Sequence, residues 1–221
     1  MDFLNSFFRF SLEELPFVVI SVVIAFTVHE FAHAYTAYRF GDHTAKNQGR
    51  LTLNPLQHID PLGMILILIF GFGWARPVPV NRYYFKNPRL AGILVSVAGP
   101  VSNLLLAVFA FLIYYGIAAA GIGPSMPLFV QTFLQQFIYF NVLLFVFNLL
   151  PLPPLDGYRI IEDLAPVNVR AKMTQYEQYG ALVFLILVLT PLGDYTIYPV
   201  LYTAIPAIIQ GLHQIFGAIF L

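Results

Sequence analysis

The chain has 221 residues, 59% of them hydrophobic and only 10% charged, with eleven Lys and Arg balanced by eleven Asp and Glu. An ordinary soluble domain carries roughly a quarter of its residues as charges, so this composition suits lipid better than water. Zero net charge excludes the clustered basic excess that nucleic-acid binding needs. The absence of cysteine excludes disulfides and thiolate ligands, so any metal must rest on His, Asp or Glu.

A helix that crosses the hydrocarbon layer needs about 20 apolar residues. In chain order the first such run is residues 15–38, too long and too late for a signal-peptide core and without a small-residue cleavage site, so it is expected to be retained. Residues 62–74 are apolar but too short to span, and Gly63, Gly71 and Gly73 weaken a helix there, which predicts a re-entrant hairpin or an edge strand. Residues 91–119 and 128–150 are the second and third spans. Residues 176–192 and 196–221 are weaker, the last with Pro199 and Pro206 to distort it. The expectation is an all-α integral membrane protein, a polytopic bundle of about five to six transmembrane segments with a short re-entrant or edge-strand element, in a single domain over residues 1–221.

Arg39, Lys46, Arg50, Arg76, Arg82, Lys86, Arg89 and Arg159 lie in the loops that follow the first span, precede the second and follow the third, with Arg170 and Lys172 close behind. Alternating helix directions bring these loops to one face, which the positive-inside rule makes cytoplasmic. The connection at residues 121–127 carries no charge, as an outer loop would, and Arg9 is the single basic residue before the first span.

Within the first span stands His29-Glu30-Phe31-Ala32-His33. Four residues advance a helix by about 400°, so both imidazoles leave nearly the same face one turn apart, where they can share one tetrahedral zinc ion. Glu30, about 100° round the helix, can reach water at the metal without joining its ligands, as a general base does in the HExxH arrangement. Ionisable groups inside a span are costly and mark functional sites, which weighs against accidental spacing.

Zinc hydrolases use three protein ligands and leave the fourth position open. Asp156 in Pro151-Leu152-Pro153-Pro154-Leu155-Asp156-Gly157 closes the third span and reaches the face of His33, although Asp-Gly after prolines is equally an ordinary turn signal. Glu162 and Asp163 read instead as solvated charges past the membrane edge. Asn103, beyond the Gly99-Pro100 break, is an amide placed to serve an oxyanion or position substrate, with helix-kink packing as its plain alternative. His58 offers the same choice between a site residue and a loop histidine held by backbone, Arg39 and Asp42 fall at the mouth of a water path, and Asn148 has no assigned role.

Together these residues resemble the site-2 protease family of intramembrane zinc metalloproteases, through His29 to His33, Leu155-Asp156-Gly157, and the stretches Asn54-Pro55-Leu56-Gln57-His58-Ile59-Asp60-Pro61-Leu62-Gly63, Gly73-Trp74-Ala75-Arg76-Pro77-Val78-Pro79-Val80-Asn81 and Gly99-Pro100-Val101-Ser102-Asn103. The resemblance implies one zinc ion held by His29, His33 and Asp156, Glu30 as catalytic base, and a transmembrane protein as substrate. It further implies a minimal member without PDZ or nucleotide-sensing modules, multi-pass in the cell membrane with the active site nearer the cytoplasmic face. Two other readings share part of the pattern. A prenyl-protein-processing type of protease would take a different third ligand, and a zinc transporter or scaffold would give Glu30 no chemical task.

Overall fold

A computed structural model describes residues 10–220, so Arg9 lies outside the described residues. Among the described residues ten α-helices follow one another: α1 (Leu15–Arg39), α2 (Thr44–Asn47), α3 (Pro61–Phe70), α4 (Pro88–Ala119), α5 (Leu128–Asn148), α6 (Asp156–Leu164), α7 (Val167–Glu177), α8 (Gly180–Leu189), α9 (Gly193–Thr196) and α10 (Tyr198–Phe220). Four of them, α1, α4, α5 and α10, are long and apolar enough to cross a membrane, and α3 and α8 are shorter apolar helices. The protein is an all-α polytopic membrane protein, and its five to six apolar segments resolve into four full spans and two partial ones.

The segment at 62–74 is neither simple hairpin nor strand. Asp60 caps α3 by accepting the Gly63 N–H at 2.9 Å, Pro61 opens it, and Gly71 closes it with a left-handed φ of 74°. The chain then returns extended, and one isolated antiparallel bridge between Ile59 and Ala75 is its sole β pairing among the described residues. The two flanking glycines permit this fold-back. A Cβ on Gly63 would stand 2.1 Å from the Trp74 carbonyl oxygen, and one on Gly73 would stand 2.0 Å from that of Gly63.

Further along, the predicted span at 176–192 divides into α7 and α8 at Gln178 and Tyr179, which leaves only ten apolar residues in α8. The prolines of the last segment leave α10 continuous, because Pro199 sits in the first turn, where no N–H is required, and only Pro206 is interior.

The core forms where α1, α4 and α5 meet, with Phe111, Val142, Phe137 and Leu134 buried, and α10 adds Leu201, Ile205 and Phe216 to its outer side. A second cluster, Val18, Val22, Phe26, Ile67 and Phe140, seats α3 against α1 and α5. Glu162 and Asp163 depart from their expected solvated state. Both are buried, paired with Arg82, and Asp163 also meets Arg170 at 3.2 Å. The amphipathic α6 turns them toward the N-terminal end of α4, where Asp163 packs over Gly92.

Candidate active site

His29 and His33 leave α1 one turn apart, both buried, with their Nε2 atoms 3.0 Å from each other. Asp156 opens α6, and its Oδ2 stands 3.2 Å from each Nε2. Gly157 makes this approach possible, since a Cβ there would stand 2.3 Å from the Leu149 carbonyl oxygen. Helix α6 can therefore start tight against the end of α5 and hand its first carboxylate to the histidines.

Hydrogen bonding fixes the protons. The Asn103 amide nitrogen donates to the Ala25 carbonyl at 3.1 Å and to Asn141 Oδ1 at 3.1 Å, so its oxygen must be the acceptor facing His29 Nδ1 at 2.7 Å. His33 Nδ1 donates to the Val95 carbonyl at 2.7 Å. With each Nδ1 engaged by an oxygen, Nε2 is the atom that either imidazole has left to offer a metal. The two Nε2 atoms converge on Asp156 Oδ2, a buried oxygen with no hydrogen-bond donor.

Three acceptors facing one another without a proton between them repel unless a cation joins them. A tetrahedral zinc ion at about 2.0–2.1 Å from its ligands separates them by about 3.3 Å, close to the triangle seen here. The space beside the triangle is kept by Gly99, whose Cβ would stand 2.4 Å from His33 Nε2 and 2.6 Å from His29 Nε2. The donor set and the opening both fit zinc, and the bonds from Nδ1 are those that metal-ligating histidines generally make.

Glu30 points into the same cavity, and its Oε2 accepts the Val78 N–H at 2.8 Å. Pro77 and Pro79 have no N–H, so Val78 is the one backbone donor of that tripeptide. Its loop is tied down at several points. Arg50 donates to the carbonyls of Arg76 and Pro77 at 2.7 and 3.3 Å, Arg76 N–H donates to the His58 carbonyl at 2.8 Å, and Asp42 accepts Asn81 N–H at 2.6 Å.

Several sequence expectations change here. Asn103 is fully buried behind His29 with both amide protons donated inward, so it can position the imidazole but has no donor left for an oxyanion. His58 does not line the cavity; it is buried, and its ring meets the Thr52 carbonyl at 2.7 Å. Asp42 is likewise a buried clamp, and Arg39 lies exposed along Tyr35, away from the cavity. Asn148 lines the cavity while donating to the Leu144 carbonyl at 3.0 Å. Sequence reading passed over Asn141, the partner of Asn103, although a buried amide within an apolar span is itself a signal. It also passed over Val95 and Val78, which act through backbone atoms and leave no mark in residue type.

A profile described as "Peptidase family M50" matches residues 115–191, a stretch that holds Asp156 but begins beyond α1. Three relatives share the name "Putative zinc metalloprotease". YwhC of Bacillus subtilis is 56% identical over 98% of each chain. Rip2 of Mycolicibacterium smegmatis is 33% identical over 79% of this chain and 67% of its own length. MJ0611 of Methanocaldococcus jannaschii is 31% identical over 72% of this chain and 76% of its own. No solved structure matches the chain significantly. Near-complete coverage at this identity establishes that the chain belongs to peptidase family M50, the site-2 protease family, whose members are named for a zinc cofactor.

Proposed function

We propose that this protein hydrolyses peptide bonds of membrane-spanning substrates in or beside the bilayer, with His29, His33 and Asp156 as zinc ligands and Glu30 as general base. The observation that carries the reading is the convergence of His29 Nε2, His33 Nε2 and Asp156 Oδ2 beside the Gly99 opening, with the Glu30 carboxylate lining the same cavity.

Bound zinc supplies Lewis acidity, which polarises a carbonyl oxygen and makes nearby water easier to deprotonate. Glu30 accepts a proton from the attacking water and returns it to the leaving amine nitrogen. The Val78 N–H steadies one of its oxygens, while the other has no protein partner among the described residues. Apolar walls at Phe26, Leu144 and Phe184 exclude bulk water and strengthen each electrostatic contact. A helical substrate must unwind to present its peptide bond, and the extended return from Phe72 to Val80 forms one side of the cavity that would receive it. The basic loops support a location in the cell membrane with the site toward the cytoplasmic face.

The test is zinc content and cleavage of a single-span substrate by protein purified in detergent. Glu30→Gln should keep its zinc and lose about 10²–10⁴ in rate, whereas Asp156→Ala should lose both zinc and cleavage. Undiminished cleavage by Glu30→Gln would overturn the protease reading and leave the zinc transporter or scaffold in its place.

A further inference from the structure

The cavity at the metal site measures about 910 Å³. Its walls are mainly apolar and aromatic, and among the described residues the charged groups lining it beyond His29, Glu30, His33 and Asp156 are Arg82 and Arg159. Both are cations, and they differ in how firmly they are held. Arg82 pairs with two buried carboxylates, Asp163 and Glu162, and so its charge is taken. Among the described residues Arg159 pairs with Glu177 alone, at 3.2 Å, with side chains 43% and 28% exposed. Such a solvated pair contributes little and exchanges readily. A guanidinium carries five donors, so one contact leaves most of them open.

Arg159 follows Asp156 by three residues in α6. That spacing puts it on the same helical face, its Cβ about 5–6 Å from that of the zinc-facing Asp156. An extended peptide advances about 3.3 Å per residue, so a residue two or three places from the reacting carbonyl comes within reach of the guanidinium. The cavity wall contributed by Phe26 and Leu144 is apolar.

Resting on the protease reading above, we propose that Arg159 forms a carboxylate-binding subsite that selects substrates with an acidic residue on the cytoplasmic flank of the scissile bond, the apolar flank lying toward Phe26. Glu177 occupies the guanidinium until a substrate carboxylate displaces it. Preferred substrates are thus transmembrane segments cut where an apolar stretch meets an acidic juxtamembrane residue.

The experiment uses the full zinc-loaded chain in detergent and single-span substrates with Glu, Gln or Lys scanned over the first four cytoplasmic positions after the cut. The readout is the ratio of kcat/KM for Glu to that for Gln at the best position. Wild type should favour Glu about tenfold, the range of a charge-assisted hydrogen bond discounted for exposure. Arg159→Gln should bring the ratio to about one, Arg159→Glu should favour Lys, and Glu177→Gln should raise the ratio above wild type. A salt bridge that served structure alone would move Arg159→Gln and Glu177→Gln in the same direction, which would overturn the subsite. A second pair of substrates, ending at the best position as free acid or as amide, separates sources of the carboxylate. Preference confined to that pair keeps the subsite and assigns it a chain terminus in place of an acidic side chain. A wild-type ratio of about one in both series overturns the subsite while the protease stands, whereas absence of cleavage for every substrate removes both.

Discussion

Helices α1 and α10 are of similar length, 25 and 23 residues, yet 44% of the apolar window of α1 is buried inside the protein and only 11% of that of α10. The difference follows from polar atoms. In α1, His29 and the Ala25 carbonyl bond to Asn103 of α4, which in turn bonds to Asn141 of α5, and that amide returns to the Phe137 carbonyl at 2.9 Å. The ladder interlocks three helices at one depth, where lipid could not satisfy any of these groups. Helix α10 joins the rest through Leu201, Ile205 and Phe216 and through the polar contacts of Tyr115 with His213 and of Tyr198 with the Val188 carbonyl, none of them part of that ladder, and shows lipid most of its remaining surface. Apolar length makes a span, whereas buried hydrogen bonds make a scaffold.

Filling the opening in that scaffold should have the largest effect. In Gly99→Ala the added methyl collides with both Nε2 atoms, so zinc affinity should fall by more than about 100-fold, exceeding the loss typical of an altered outer-shell partner. Metal titration against a competing chelator measures it. Next in size is Asn103→Ala, which strips His29 Nδ1–H of its acceptor and breaks the ladder at its centre. Zinc affinity should drop about 10–100-fold, and the protein should lose about 1–3 kcal/mol of stability, read from affinity and from thermal unfolding in detergent. By contrast, Ile215→Ala on α10, where the side chain is exposed, should change neither zinc affinity nor cleavage and should stay within about 0.5 kcal/mol in stability. A loss at Ile215 equal to that at Asn103 would erase the contrast between the two regions.

Sequence made the long spans legible because apolar length is a direct reading of lipid solvation, and α1, α4, α5 and α10 fall within a few residues of the expected runs. The HExxH spacing carried the pair of histidines for the same kind of reason: a helix has one period, and i, i+4 has one geometric meaning. What stayed hidden depends on contacts between distant segments. Glu162 and Asp163 look like surface charges until Arg82, about eighty positions earlier, is folded onto them. His58 and Asp42 resemble site residues by type, yet each serves to anchor the loop that delivers Val78. Asn103 was visible as a polar group at the right depth, but its task depended on where its two amide protons went, and that required Ala25 and Asn141 to be in place.

The two ten-residue helices, α3 and α8, bring a property of the surrounding solvent into play. Each is about 15 Å long, half the roughly 30 Å of a hydrocarbon core, and α8 turns Leu182 and Leu189 outward. Lipid beside it meets a hydrophobic stretch shorter than its own core, a mismatch that local thinning of the bilayer relieves. Each ångström of such mismatch costs a fraction of a kcal/mol. The acyl-chain length of the host membrane therefore enters the energetics of this fold alongside its own side chains.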